Sequence, residues 1–248
     1  MDDLVRRTSE AILAATHVVA LTGAGISVES GIPPFRGKGG LWTKYDPAEY
    51  ADISAFRRNP GKVWEMLREM RRVIQQARPN AAHTALAQLE TLDLLKCIVT
   101  QNVDGLHQQA GSRNVVEFHG NDRAVVCQSC GREQPSADLS VEVLPPRCAC
   151  GGVLKPSVVM FGEMIPRDAL LLASAAAQKG DVVLVIGTTA EVYPAAELPF
   201  TVKRNGGIVI EFNLEPTVLT DSIADWSHLE SASASLPAVL VALRARLN

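Results

Sequence analysis

The sequence predicts an α/β fold: a Rossmann-like, mostly parallel sheet with helices on both faces, plus a smaller inserted zinc-binding lobe. Three observations predict it. Short runs rich in Val, Ile and Leu alternate with helical patterns along most of the chain, and strands alternating with helices close into a parallel sheet covered on both sides. The alternation breaks twice, over residues 26–59 and 121–156. The second break holds four of the five cysteines as two close pairs.

The first strand is Val18-Val19-Ala20-Leu21-Thr22, an apolar, β-branched run that ends at Gly23-Ala24-Gly25 and so reads as a buried strand entering a tight turn. Residues 94–100, 115–118, 182–186 and 208–212 have the same character, each bounded by polar or glycine residues. Helical patterns cover 60–77, 81–91, 167–178, 197–204 and 236–247. The large lobe is expected over 1–25, 80–120 and 157–248, and the small lobe over 26–79, which is helical, and 121–156, which carries the cysteines. Neither an internal repeat nor a low-complexity tract interrupts this order.

With 248 residues, 47% hydrophobic and 21% charged, the chain has an ordinary globular composition and is long enough for one main domain with an insertion. A net charge of −3 and a pI near 6.0 supply no global field for a polyanion, so a nucleic-acid partner is not expected. The opening Met-Asp-Asp-Leu lacks the layout of a signal peptide, and the longest apolar stretch, 170–177, is too short to span a bilayer. A cytoplasmic protein with no membrane partner is expected.

A strand that ends in Gly-x-Gly lets backbone approach a pyrophosphate whose charge is met by N–H groups at a helix start, although a bare Gly-x-Gly serves a tight turn equally well. The full dinucleotide fingerprint needs glycine where Val28 stands, and Thr43 occupies the place of the acidic ribose binder, which counts against an ordinary dehydrogenase.

The stretch beginning at this turn is more specific. The fifteen residues Gly23-Ala24-Gly25-Ile26-Ser27-Val28-Glu29-Ser30-Gly31-Ile32-Pro33-Pro34-Phe35-Arg36-Gly37 resemble the opening motif of the sirtuin family. The resemblance continues, in the family's order, through Thr100-Gln101-Asn102-Val103-Asp104-Gly105-Leu106-His107, Phe118-His119-Gly120, the cysteine pairs, Lys155-Pro156, Phe161-Gly162-Glu163, Gly187-Thr188-Thr189 and Asn213-Leu214-Glu215-Pro216-Thr217. It covers the chain from about residue 15 to 235. It implies an NAD-dependent protein lysine deacylase acting on acylated-lysine proteins or peptides. NAD is then a co-substrate: the acyl-lysine carbonyl oxygen attacks the nicotinamide ribose, nicotinamide leaves, and the acyl group ends on ADP-ribose with the lysine freed.

By the same resemblance His119 is the general base that deprotonates a ribose hydroxyl, a task suited to a neutral imidazole. His17, His83, His107 and His228 have no comparable pattern. Asp104 would hydrogen-bond the nicotinamide carboxamide, Asn102 would orient the ribose or a water, and Phe35 would shield the reacting face. Gln101, Asn102 and Asp104 come after a strand end, where ligands of α/β sheets bind; taken singly, a turn-forming Asn or a capping Asp is the alternative. Further NAD contacts are implied for Gly23, Ala24, Gly25, Ser27, Glu29, Pro33, Arg36 and Trp42. Gly187, Thr188, Thr189, Asn213, Leu214 and Glu215 would meet the phosphates and adenosine ribose, with Ser233 near the adenine. Two departures from the family's pattern stand out: Thr189 where Ser is commoner, and Ser231-Ala232-Ser233-Ala234 in place of a small Gly/Ala loop.

Cys127-x-x-Cys130, then 17 residues, then Cys148-x-Cys150 offers four thiolates as two claws, as tetrahedral zinc prefers. Clustering of this kind in a chain without an export signal favours metal over disulfides. Four sulfur ligands leave no place for water, so the zinc is expected to be structural.

Val158 to Glu163 resembles the segment that takes substrate backbone as an added strand, which makes Val159, Met160, Phe161, Gly162 and Glu163 substrate contacts. Relatives that act on succinyl or malonyl groups carry Tyr and Arg three and six residues after a Trp; counting from Trp64 gives Leu67 and Met70. A carboxylate in such a tunnel is desolvated without a partner, so acetyl or longer apolar acyl groups are expected. A shifted register with Arg68 or Arg71 at the tunnel would reverse that expectation. Two rivals share these motifs: a mono-ADP-ribosyltransferase using the same NAD site, and a non-catalytic NAD-binding module whose zinc lobe meets a partner. His119 with Asn102 and Asp104 argues against the second, because a sensor needs no base.

Overall fold

The computed structural model describes residues 3–37 and 39–247. Met1 and Asp2, part of the opening read for a signal peptide, lie outside the described residues, as do Lys38 and Asn248. The elements in chain order are α1 (Asp3–Ala14), β1 (Val18–Thr22), α2 (Pro47–Tyr50), α3 (Ile53–Arg58), α4 (Pro60–Gln76), α5 (Ala81–Thr91), β2 (Leu95–Thr100), α6 (Leu106–Gln109) and β3 (Val115–Glu117). They continue with β4 (Gly120–Cys127), β5 (Glu133–Pro135), β6 (Leu154–Val158), α7 (Arg167–Lys179), β7 (Val182–Ile186), α8 (Glu197–Arg204), β8 (Ile208–Asn213), β9 (Trp226–Leu229) and α9 (Ala232–Leu247). Among the described residues no helix is long and apolar enough to cross a membrane.

Six strands form a parallel sheet in the order β3-β2-β1-β7-β8-β9. All five residues of β1 are buried because the sheet is covered on both faces. Val18 and Ala20 join Ile98, Leu184, Phe212 and the apolar faces of α1, α5 and α9; Val19 and Leu21 join Val99, Val183, Val185 and residues of α7 and α8. The alternation of one strand thus sorts its side chains between two helical layers.

The two stretches that interrupt the strand–helix alternation pack on each other. β5, β4 and β6 form an antiparallel sheet, and Val125, Cys127 and Leu154 from it share a core with Phe56 of α3 and Val63 and Trp64 of α4. Trp64 is fully buried and its indole N–H donates to the Leu154 carbonyl at 2.8 Å, so the largest side chain here is both packed and satisfied.

The sequence-predicted strands are present to within a residue or two, but α1, β9 and the antiparallel sheet have no counterpart among the predicted elements. α9 begins at Ala232, four residues before its predicted start, with Pro237 inside it. Asn80 starts α5 with a capping box: its side chain accepts from Ala82 and His83 N–H at 3.0 and 3.3 Å. The same side chain donates to Ile26 O at 2.7 Å and Ser30 Oγ at 3.0 Å, which ties the helix to the glycine turn after β1.

Candidate active site

The strand order reverses between β1 and β7, and the turns leaving their carboxyl ends meet at that point, where open α/β sheets bind ligands. Gly25 N–H donates to Gly187 O at 2.8 Å, and Gly23 N–H to Ile186 O at 3.0 Å. A Cβ on Gly25 would fall 2.6 Å from Gly187 Cα, and one on Gly187, whose φ is +60°, would fall 2.3 Å from Ile26 N. Backbone-to-backbone packing therefore demands these glycines.

A cleft of about 760 Å³ opens at this crevice, a volume suited to a cofactor-sized ligand. Of the residues singled out from sequence, it is lined by Gly23, Ala24, Gly25, Glu29, Phe35, Arg36, Trp42, Gln101, Asn102, His119, Gly187, Thr188, Thr189, Asn213, Leu214, Glu215 and Ser233. Leu67, Met70 and the segment from Val159 to Glu163 line it too. Ser27, Pro33 and Asp104 are not part of this lining.

His119 stands between the two sheets. Phe118 N–H donates to Thr100 O on one side, and Val159 N–H donates to His119 O on the other, both at 2.9 Å. Gly120 comes next with φ +72°, and a Cβ there would sit 1.9 Å from Ser157 O. His119 Nδ1 lies 3.2 Å from the Gln101 carbonyl. A carbonyl oxygen can only accept, so Nδ1 carries the proton and Nε2 keeps its lone pair. Burial holds the imidazole pKa below its ordinary value, with the Gln101 carbonyl opposing, which favours the neutral form.

Behind this wall Ser27 joins two predicted residues. Its hydroxyl donates to Asp104 Oδ2 at 2.7 Å and accepts from Asn102 Nδ2 at 3.1 Å, while Asn102 also donates to Gly23 O at 3.1 Å. Asp104 Oδ1 accepts from Leu106 N–H at 2.9 Å. Burial pushes the Asp104 carboxyl upward, and the bonds from Leu106 and Ser27 oppose it. His107, which has no functional pattern in the sequence, meets Thr22 Oγ1 at 2.9 Å; Thr22 donates to Thr100 Oγ1 at 2.8 Å, and that oxygen accepts from Asn102 N–H at 3.1 Å. Burial depresses the His107 pKa to about 3, so this link between the ends of β1 and β2 is uncharged.

At the mouth Phe35 and Trp42 stack with ring centroids 5.2 Å apart. Glu191 Oε2 accepts from Arg36 Nη1 at 2.9 Å and from Thr189 Oγ1 at 3.0 Å. A carboxylate here takes the donors that a phosphate oxygen takes, so the donor set fits an anion. Gln101 Nε2 and Asn213 Nδ2 donate to Thr188 Oγ1 and Thr188 O at 2.9 and 3.2 Å, and Ser231 donates to Glu29. The buried Glu211 carboxylate accepts from Thr217, Thr220 and Ser227 at 2.5, 2.5 and 2.7 Å, fixing the loop after β8.

On the far side, Phe161 N–H donates to Ala51 O and Ile53 N–H to Phe161 O, each at 2.9 Å. Beneath the segment lies Lys155, 6% exposed, whose Nζ donates to Val158 O at 2.7 Å, Glu163 Oε2 at 2.8 Å and Pro156 O at 3.2 Å. Glu163 also accepts from Met160 N–H at 2.8 Å, so its carboxylate braces the segment from below. Lys155 belongs to a block that the family resemblance marks, yet nothing in the sequence gives it this partner. Leu67 and Met70 lie on α4 beside Arg71, which also lines the cleft. The Arg71 guanidinium is committed: Nη1 donates to both Asp122 oxygens at 3.0 and 3.1 Å, and Nη2 to Ser136 O at 2.8 Å. Arg68 is not in the lining.

Away from the cleft, one sulfur each from Cys127, Cys130, Cys148 and Cys150 falls within 4.8 Å of the others, with Cys127–Cys150 and Cys130–Cys148 separations of 3.5 and 3.9 Å. Tetrahedral zinc with thiolates at about 2.3 Å sets sulfur–sulfur edges of about 3.8 Å, so the donor set fits that ion. Gly152 completes the knuckle: its carbonyl accepts from Cys148 N–H at 2.8 Å, and a Cβ there would meet Cys127 Sγ at 2.6 Å.

Residues 23–194 match the Sir2 family. The NAD-dependent protein deacylase of Pyrococcus furiosus is 46% identical over 249 residues, covering 97% of this chain and 98% of that protein. That of Aquifex aeolicus is 49% identical over 229 residues, covering 92% and 95%. Among solved structures, a Sir2 homologue–NAD complex superposes with a TM-score of 0.92 at 45% identity, covering 100% of this chain and 96% of the other. A Sir2–p53 peptide–NAD+ complex superposes at 0.89 with 33% identity, covering both chains in full.

Proposed function

The chain belongs to the Sir2, or sirtuin, family, and from that premise we infer that it is an NAD-dependent protein lysine deacylase. NAD, when bound, supplies the electrophilic ribose carbon, and its ADP-ribose accepts the acyl group. The acyl-lysine carbonyl oxygen would supply the nucleophile and one water would release the amine; binding, orientation, water exclusion and proton transfer fall to this chain's residues.

His119 acts as the general base through Nε2. What carries this reading is the hydrogen bond from Nδ1 to the Gln101 carbonyl, which fixes the tautomer and leaves Nε2 basic on a side chain that lines the cleft. Asn102 orients the nicotinamide end, and Asp104 acts at one remove, through the Ser27 hydroxyl it holds. Asn102 lines the cleft and is already rigid, with Gly23 O and Ser27 on its amide; Asp104 holds Ser27 from behind and does not line the cleft in the described structure. The Gly23–Gly25 and Gly187–Thr189 turns receive the phosphates, with Arg36 turning from Glu191 to the anion. Phe35 on Trp42 closes the mouth and excludes water. The segment from Val159 to Glu163 takes the peptide, and the acyl-lysine runs between it and the apolar Leu67 and Met70.

Cys127, Cys130, Cys148 and Cys150 hold zinc. With four sulfur ligands and no open position it is structural, its contribution being to fix β4–β6 against α3 and α4. We read the molecule as two lobes: a large one over 1–25, 80–120 and 157–248, and a small one over 26–79 and 121–156. The separate core shared by Phe56, Trp64, Val125 and Leu154 supports that division. A cytoplasmic location, supported by thiols grouped for a metal, completes the reading, with acylated proteins as partners and no nucleic acid.

The test is incubation with NAD and an acetyl-lysine peptide, followed by mass spectrometry. Acetylated ADP-ribose, nicotinamide and free lysine peptide in equal amounts are expected. ADP-ribosylated protein in place of acetylated ADP-ribose would overturn deacylation in favour of ADP-ribosyl transfer.

A further inference from the structure

Building on the deacylase reading, we propose that Arg71 and Asp122 determine which acyl groups this chain accepts: the guanidinium is a latent anion receptor kept filled by the enzyme's own carboxylate, so acyl chains ending in a carboxylate are refused.

The cations lining the cleft, among the described residues, are Arg36 and Arg71. Arg36 lies at the mouth against Glu191. Arg71 stands on the α4 wall with Met66, Leu67 and Met70, where the side chain of an acylated lysine is expected to run. The Arg71 and Asp122 side chains are only 6% and 14% exposed, so water screens the pair poorly. Both Asp122 oxygens take Arg71 Nη1, and Ser136 O takes Nη2, so both terminal nitrogens of the guanidinium are already engaged and the charge is already matched by a carboxylate.

An incoming succinyl group therefore meets one of two costs. It can displace Asp122, stranding a buried carboxylate, or it can leave the pair intact and place its own negative charge beside Asp122. An acetyl group or an apolar chain meets neither. Refusal thus comes from Asp122, a residue outside the Tyr and Arg positions by which sequence forecasts acidic acyl preference, and the receptor needed for the opposite preference is already built beneath it.

The experiment compares kcat/KM for acetyl- and succinyl-lysine peptides of one sequence at saturating NAD. The proteins are the wild type, Asp122→Ala, Asp122→Asn and the double variant Arg71→Leu/Asp122→Leu, each checked by thermal denaturation. The wild type should favour acetyl by about 100-fold or more, the order set by one buried unpaired charge. Each single variant should raise the succinyl-to-acetyl ratio by about tenfold or more, because a freed guanidinium gains the incoming carboxylate. The double variant should keep the wild-type ratio.

A wild type that desuccinylates as well as it deacetylates overturns the proposal. So do folded single variants that keep the wild-type ratio or lose acetyl turnover altogether. If the alanine variant does not fold, the near-isosteric Asp122→Asn decides: a raised succinyl-to-acetyl ratio supports the proposal, and a ratio equal to wild type overturns it. Absence of NAD-dependent acetyl turnover in the wild type would instead sink the deacylase reading, which keeps the two failures apart.

Discussion

Gly25→Ala places a methyl group 2.6 Å from Gly187 Cα and 2.8 Å from Gly187 O. Ordinary carbon contact begins near 3.4 Å, so the turns after β1 and β7 must part by about 0.8 Å. Neither side can yield by turning a rotamer, since both sides are backbone. Overpacking of this kind costs about 1–3 kcal/mol. The Gly25 N–H to Gly187 O bond, now 2.8 Å, stretches past useful length and adds about 1 kcal/mol. A total of about 2–4 kcal/mol lowers Tm by about 4–16 °C for a chain of this size. The displacement also falls where the NAD phosphates are expected, and a shift approaching 1 Å weakens positioning by about tenfold or more. Differential scanning calorimetry and NAD titration of steady-state rates measure both effects. A variant with wild-type Tm and wild-type KM for NAD would refute the contact argument and the placement of NAD together.

Replacing His119 by Ala should lower kcat by about 10²–10⁴-fold while NAD still binds, which steady-state kinetics and calorimetry separate. A general base at His119 must be neutral to act, and burial holds its pKa below the ordinary 6.5; the rate should therefore fall only as pH drops below that value, and an acid limb centred above it would contradict the assignment. Zinc should co-purify in equal amount with the chain, and chelation should lower Tm and melt β4–β6; a stable, active, metal-free preparation would count against the site. Lys155→Met leaves the Glu163 carboxylate without its cation; because that side chain is 26% exposed the stability loss should be about 2 kcal/mol, and KM should rise for the peptide and hold for NAD. A peptide KM equal to wild type would show that Lys155 does not shape the substrate segment.

The central strands are readable because a sheet buried on both faces writes itself as unbroken apolar runs, as at Val182–Ile186. The order of the motif blocks likewise announces the cleft. α1 escapes because half of its buried side chains, Thr8 and Ser9 beside Val5 and Ile12, are polar, which dilutes the helical period. β9 hides behind Trp226 and the buried His228, whose ring stacks on Phe212 and whose Nε2 meets Thr8. The sequence places the start of α9 too late because a proline reads as a first-turn residue, and Pro237 sits well inside the helix. Pairing is the least legible. Arg71 and Asp122 are 51 residues apart, and Arg36 and Glu191 are 155 apart. Lys155 and Glu163 are nearer in the chain, but no periodicity links them, and only folding brings each cation to its carboxylate.

His119 occupies the seam where the six-stranded sheet passes its chain to the three-stranded one, clasped by Thr100 O through Phe118 and by Val159 N–H, with Gly120 immediately beyond. Points near an axis of rotation travel least. A displacement of the antiparallel sheet about that seam would move the cysteine knuckle, which lies away from the cleft, more than the imidazole. His119 therefore takes its position from both sheets at once, and a change that shifts either one reaches it through a single backbone hydrogen bond.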